Sequence, residues 1–255
     1  MLIALTRPVS PSLAACELTH LAREPIDVSR AAAQHAAYES VLASLHARIA
    51  RAAAAPELPD AVFVEDTAIV LDEVAVIARP GAPSRRAETD AVAEVLAGFR
   101  SLLRLEAPAT LDGGDVLRVG RELYVGLSSR SNGAAVEQLA SLLRPFGYGV
   151  RAVPVAGCLH LKSAVTAVGE RRLLLNPAWV ARESFEGAEI LCVDPSEPGA
   201  ANALWLNGSV IYPAHFPRTS ERLAQSGFEV IPVECSELAK AEGGVTCCSL
   251  LFRAD

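Results

Sequence analysis

Residues 61–80 read AVFVEDTAIVLDEVAVIARP. An apolar run, an acidic turn and a second apolar run predict a β-hairpin. SRRAETDAVAEVLAGF (84–99) comes next, with Ser84 placed to cap a helix, apolar residues at helical spacing and Gly98 near the end. SLLRLEA (101–107) then reads as a short strand. The same order returns downstream: ATLDGGDVLRVGRELYVGLS (109–128) as a hairpin, SNGAAVEQLASLLRPF (131–146) as a helix and YGVRAVPV (148–155) as a strand. It returns again in HLKSAVTAVGERRLLLN (160–176), a weaker helix around NPAWVARESF (176–185) and AEILCVDP (188–195). NALWLNGSVIYPA (202–214), PRTSERLAQSG (217–227) and FEVIPVE (228–234) make a further unit. VTCCSLLFRA (245–254) has no helix after it. Its missing parts lie at the other end, where LIALTR (2–7) reads as a strand and residues 29–55 as one long helix. Bringing the two ends together would complete a fifth unit.

Asp66, Asp112, His160 and Cys248 stand at equivalent strand starts, separated by 46, 48 and 88 residues, the last being two steps of 44. A fixed period in this range suggests a propeller-like array or a solenoid; evenly spaced strands of an ordinary α/β domain are the plainer alternative. In a closed ring the starts of equivalent strands converge on one axis, and these four residues would face one cavity.

With 255 residues, 51% of them apolar, the chain can bury a large core. No apolar run reaches the ~18 residues of a membrane span. MLIALTRP is too short for a signal peptide and carries its charge on the wrong side. The expectation is a soluble, cytoplasmic protein. A net charge of −7 without a dense Lys/Arg cluster argues against nucleic acid. The 6 cysteines form no C-x-x-C pair and no regular framework, so a disulfide scaffold is not expected. A bond between Cys247 and Cys248 is excluded by geometry: adjacent Cα atoms are ~3.8 Å apart, below the ~4.4 Å a disulfide needs.

Cysteine attacks as thiolate and needs a neighbouring base or positive charge. His160 can shuttle protons near neutral pH, and a carboxylate such as Asp112 can orient it. A buried cysteine is more often a small apolar residue, and a lone histidine more often structural. The double glycines of LDGGD (111–115) and EGGVT (242–246) suit a crowded site and equally suit tight turns.

LPDAVFVEDTAIV (58–70), RPGAPSRR (79–86), LDGGDVLRVGRELYVGLSSRSN (111–132), GCLHLKS (157–163) and GGVTCCSLL (243–251) resemble, in order and spacing, the dimethylarginine dimethylaminohydrolase family of guanidine-modifying enzymes. The resemblance runs over nearly the whole chain. It implies the pentein fold, an α/β, five-bladed, pseudo-symmetric propeller of ββαβ modules, with residues 1–255 as a single catalytic domain. It implies hydrolysis of Nω-methylated L-arginine to L-citrulline and a methylamine through a covalent cysteine intermediate, without metal or other cofactor. By the same resemblance Cys248 is the nucleophile, His160 the proton shuttle and Asp112, rather than Asp115, its partner. Asp66 and Glu65 would grip the guanidinium, Asp60 the α-amino group, and Arg85 and Arg130 the α-carboxylate. Leu18 would belong to a mobile N-terminal lid. SSRSN departs from the family's commoner SKRTN but keeps the arginine. Strand alternation would then turn one cysteine of the pair to the cavity and the other to the core. The expected partner is a small methylated arginine, with no nucleic acid or membrane and with a homodimer left open. Two rival readings stand beside this one: another guanidine-modifying enzyme, such as a deiminase acting on unmethylated arginine or another guanidino substrate, or a transferase; and a thiol-based metal-binding or redox protein using Cys158, His160, Cys247 and Cys248, whose spacing does not match structural zinc sites.

Overall fold

A computed structural model gives the fold of residues 1–254. β1 (Leu2–Thr6) leads through α1 (Val28–Ser44) to a parallel β2 (Arg48–Arg51). The hairpin of residues 61–80 is β3 (Ala68–Val70) and β4 (Val74–Ile77), and α2 (Thr89–Leu96) carries the chain to β5 (Ser101–Arg104), parallel to β4. β6 (Val116–Val119), β7 (Glu122–Leu127), α3 (Gly133–Leu143) and β8 (Gly149–Pro154) repeat that order. After a one-turn α4 (Leu161–Ala164) come β9 (Val165–Ala167), β10 (Arg172–Leu175) and β11 (Glu189–Cys192). The next unit is β12 (Leu204–Leu206), β13 (Ser209–Pro213), α5 (Pro217–Gln225) and β14 (Glu229–Val233). α6 (Ser236–Ala239) precedes β15 (Leu250–Arg253), which pairs antiparallel with β1, Ile3 opposite Phe252.

Among the described residues there are thus five three-stranded sheets in a mixed α/β fold, each with one antiparallel and one parallel pair about its middle strand. Five apolar cores lie between successive sheets. One joins Ile3, Leu5 and Phe252 to Ile77, Val92 and Leu96. Others join Val74 and Val76 to Leu123 and Leu139, then Leu117 and Tyr124 to Leu173 and Leu175, then Leu174 to Val210 and Tyr212. The fifth joins Leu206 and Ile211 to Ala4, Tyr38 and Leu42, and so returns from the last sheet to the first. Five interfaces among five sheets close a ring. No helix among the described residues is long and apolar enough to cross a membrane.

Three expectations about helices fail. The helix over 29–55 stops at Ser44; His46 takes a left-handed φ of 65°, and residues 48–51 become the third strand of their sheet. Pairing with β1 outweighs the helix preference of an alanine-rich stretch. Around 176–185 only a 3₁₀ turn forms, Arg182–Ser184. There the Asn176 side chain accepts from the Ala178 amide, a local bond that competes with helix. Ser84 does not cap α2: it lies within a 3₁₀ segment, Pro83–Glu88, and its hydroxyl donates to Glu17.

Candidate active site

The motif residues occupy the turns that lead into the first strand of each unit. Asp66 lies in the 3₁₀ turn Val64–Thr67 before β3, and Asp112 directly precedes the turn Gly113–Asp115 before β6. His160 is the N-cap residue of α4 before β9. Asp112, His160 and Asp66 form a buried row: Asp112 Oδ2 is 3.1 Å from His160 Nε2, and His160 Nδ1 is 3.8 Å from Asp66 Oδ1. The Gly81 amide donates to Asp112 Oδ1 and the Gly114 amide to Asp66 Oδ1. Asp115 is used differently: it accepts from the hydroxyls of Ser128 and Ser131 and from the Leu161 amide at the start of α4.

Burial opposes charge on His160, but Asp66, the hydrogen bond to Asp112 and the Asp115 carboxylate outweigh it and raise the imidazole to about 9. Burial likewise opposes charge on Asp66, yet His160, Arg85 and the Gly114 amide hold its carboxyl down to about 2. The His160 ring is therefore held as imidazolium at neutral pH, beside the ionised Asp66. LDGGD needs both glycines because the chains meet here. A Cβ at Gly113 would lie 2.0 Å from the Glu65 carbonyl oxygen, and one at Gly114 would lie 2.7 Å from both Asp66 Oδ1 and His160 Nδ1.

The cysteine pair is not in a strand. Residues 245–248 form a turn, and β15 begins only at Leu250. Cys247 lines a small cavity together with Asp60, Phe63, Asp66, Arg130 and His160. Cys248 packs into the core between the last and first sheets with Tyr38, Leu42 and Val233. The expectation for Cys248 is corrected on this point: the turn aims Cys247, and not Cys248, at the cavity that holds His160. Burial, then the Glu65 and Asp66 carboxylates, push the Cys247 thiol well up, and the Gly244 amide donates to its Sγ at 3.2 Å.

The substrate-binding expectations divide. Asp60 and Arg130 line the cavity. Asp60 Oδ2 accepts from the Glu17 amide at 3.0 Å, and burial pushes its carboxyl up. Arg130 makes only long contacts, 3.5 Å to Asp112 Oδ2 and 3.3 Å to Thr19 Oγ1. Arg85 is also at the wall: it donates to Asp66 Oδ2 at 2.7 Å and grips Glu88 with Nε and a terminal nitrogen. These two carboxylates take three of its five N–H groups and hold the guanidinium more tightly than Arg130 is held. The expectation for Glu65 is corrected. Its carboxylate accepts from Lys162 Nζ at 2.6 Å and Thr246 Oγ1 at 2.7 Å, away from the cavity. Leu18 packs against the apolar core that contains Leu13 and Cys16, and the neighbouring Glu17 reaches the cavity in its place.

Sequence reasoning also missed the wall residues Phe63 and Leu159 and the reach of Glu242, which accepts from the amides of Thr19, His20 and Leu21 at 2.5–3.1 Å. Apolar wall positions look like core in a sequence, and nothing in EGG marks a side chain that spans to residue 20. Donor atoms of Asp66, Asp112 and His160 lie within 4.8 Å of one another, near enough for a metal ion. Each already has hydrogen-bonding partners, and the guanidinium of Arg85 lies against Asp66 with that of Arg130 beside Asp112. Both repel a further cation. The four-ligand thiol site does not assemble, since Cys248 points into the core and burial pushes Cys158 up to about 12.

Comparison with known proteins gives a consistent result. A family model described as arginine deiminase matches residues 16–165. The N(G),N(G)-dimethylarginine dimethylaminohydrolase of Streptomyces coelicolor is 42% identical over 252 residues, 98% of this chain and 96% of that protein. The enzyme of the same name from Pseudomonas aeruginosa is 37% identical over 228 residues, 89% and 90% of the two chains. A solved structure of the Pseudomonas aeruginosa protein, a cysteine-to-serine mutant complexed with citrulline, superposes with a TM-score of 0.93 at 35% identity, covering 98% of each chain. A dimethylarginine dimethylaminohydrolase whose histidine is replaced by glycine, solved as an adduct with S-methyl-L-thiocitrulline, gives 0.92 at 35% identity and covers 99% and 100%.

Proposed function

Because the chain belongs to the dimethylarginine dimethylaminohydrolase family, we propose that it hydrolyses Nω-methylated L-arginine to L-citrulline and a methylamine, with Cys247 as nucleophile. The observation that carries this is the shared cavity of Cys247 and His160, bounded by carboxylates. A guanidinium is a delocalised cation, and Asp66 offers the anionic edge that fixes its plane. The same cation opposes the forces that raise the Cys247 thiol and so favours thiolate when substrate is in place. Sγ then bonds to the central guanidinium carbon. His160, as imidazolium, gives its proton to the methylated nitrogen, and the C–N bond breaks to release methylamine. An S-linked thiouronium remains. Neutral His160 next takes a proton from water, the hydroxide adds to the same carbon, and the C–S bond breaks to return the thiolate; the hydroxyl proton passes to solvent, where the released amine takes it up, and citrulline is left. Asp112 holds the ring in place through its 3.1 Å contact.

In this reading Arg130, loosely held, takes the α-carboxylate and Asp60 the α-amino group. Arg85 serves by fixing Asp66. The six cysteines are all free, which supports a reducing, cytoplasmic setting. Incubation with asymmetric dimethylarginine should yield citrulline and dimethylamine in equal amounts. Cys247→Ser should abolish turnover, because a hydroxyl supplies almost no anion at neutral pH. Cys248→Ser should keep most activity while losing stability, by roughly 1–3 kcal/mol for a polar group set in an apolar core. A dead Cys248→Ser beside an active Cys247→Ser, both folded, would reverse the assignment.

A further inference from the structure

Glu65 is almost fully buried, yet it faces away from the cavity its neighbour Asp66 lines. What it touches is the two segments that carry the reacting side chains. Lys162, two residues after His160, donates to Glu65 Oε1 at 2.6 Å. Thr246, one residue before Cys247, donates through Oγ1 to Glu65 Oε2 at 2.7 Å. The Glu65 amide donates to the Cys247 carbonyl at 3.1 Å. Asn202 ties the same two segments a second time. Its Nδ2 donates to the Lys162 carbonyl at 3.1 Å and to Thr246 Oγ1 at 3.0 Å, and its Oδ1 accepts from the Thr246 amide at 3.1 Å.

The double glycine of EGGVT fits this closeness. A Cβ at Gly244 would lie 2.4 Å from Asn202 Oδ1, and one at Gly243 would lie 2.2 Å from the Phe63 ring. The turn is drawn against its supports from both sides. Sliding either segment would break these hydrogen bonds together, because their polar atoms are matched to one another in a buried setting where an unmade bond is costly.

We propose that Glu65, Lys162, Thr246 and Asn202 are positioning residues: a buried clasp that sets the Cys247 turn and the His160 segment at the spacing needed for attack. The inference rests on Cys247 and His160 being the reacting pair. None of the four lines the small cavity that Cys247 and His160 share, so the clasp should govern the chemical step more than substrate affinity. Small misplacements of reacting groups cost about 10²-fold in rate.

Thr246→Val keeps the shape of the side chain and removes the hydroxyl that joins Glu65 to Asn202. Its kcat for asymmetric dimethylarginine should fall about 10²-fold with KM within about twofold of wild type. Thr246→Ser, which restores the hydroxyl, should recover most of the loss. Lys162→Met pulls on the clasp from the histidine side and should show the same kcat-only defect; it carries the test if Thr246→Val does not fold. An unchanged kcat in either folded variant overturns the proposal. So does a loss confined to KM, or a Thr246→Ser as slow as Thr246→Val. If the wild type itself yields no citrulline, the functional reading falls. The clasp is then judged by hydrogen exchange: the Glu65 and Thr246 amides should lose protection in Lys162→Met, and unchanged protection overturns it.

Discussion

At the scale of single residues the site is a sequence of alternating charges, Arg85, Asp66, His160, Asp112 and Arg130, each within 3.8 Å of the next. The two arginines do different work, and kinetics can separate them. Arg85→Ala leaves Asp66 and Glu88 buried without their cation, a change that costs ~3–5 kcal/mol, and it should lower kcat by releasing Asp66. Arg130→Ala should change stability little and raise KM, since its contacts are long and remote from the reacting carbon. A KM effect in both variants with equal stability would return Arg85 to substrate binding. His160 gives a pH signature. Its folded pKa, about 9, lies above the unfolded value of about 6.5, so the folded state holds the proton more tightly. The stability this contributes is fully present below pH 6.5 and is lost as pH rises through 9. The stability difference between wild type and His160→Gln should therefore be largest near pH 6 and shrink by pH 9.5 in denaturant titrations. A constant difference would show that His160 is not charged in the fold. Asp112 and His160 were legible because their blocks are long and specific. The cysteine was not. TCC places two identical thiols side by side, and the choice depends on whether the backbone there is strand or turn, which is decided by Glu65 and Asn202 from other units of the chain.

At the scale of elements, the segment after Cys16 borders the cavity through Glu17, and its far end has little core of its own: Thr19, His20 and Leu21 are exposed. It is held by Glu242, whose carboxylate gathers the three successive amides of residues 19–21. Exposed bonds to a carboxylate are weakened by water, but three gathered on one side chain can hold an otherwise loose segment. Glu242 also adopts φ 59°, a left-handed conformation that glycine takes at lower cost. Two variants therefore part latch from strain. Glu242→Ala and Glu242→Gly should both speed amide exchange at residues 19–21 by at least ~10-fold and raise KM, while Glu242→Gly alone should preserve or raise the melting temperature. Unaltered exchange in both would show that the segment is held by other contacts. Element boundaries were the least legible part of the sequence. The alanine-rich run after residue 29 carries no glycine or proline to mark its end, and only the pairing of Arg48–Arg51 with β1 reveals a strand.

At the scale of the whole molecule the repeat was readable because the units share an order of apolar run, turn, apolar run, helix and strand, whatever their residues, with only the unit of β9–β11 replacing its helix by a 3₁₀ turn. Composition says nothing of the ring, since what closes it is the pairing of the first strand with the last and the core that joins their sheet to that of β12–β14. Phe252 is the side chain to test. It is buried between the first and second sheets and meets Phe99 edge-on, with ring centroids 5.4 Å apart. Truncating a buried Phe to Ala costs about 3–5 kcal/mol, the lost transfer energy plus the cavity left behind. Of the two tryptophans, Trp179 belongs to the unit of β9–β11 and is the remote reporter; Trp205, in β12, shares a cavity wall with Leu250 and Leu251 and is replaced by phenylalanine for the measurement. If the five sheets share stability through their five interfaces, weakening one must weaken all. Phe252→Ala should then lower the denaturation midpoint seen by tryptophan fluorescence as much as that seen by far-ultraviolet circular dichroism, in a single coincident transition. If the units are instead independent, the fluorescence midpoint should stay at its wild-type value while only part of the dichroism signal moves. That outcome would break the link between ring closure and a site assembled from four separate turns, because the spacing of Cys247 and His160 would no longer depend on the first sheet being in place.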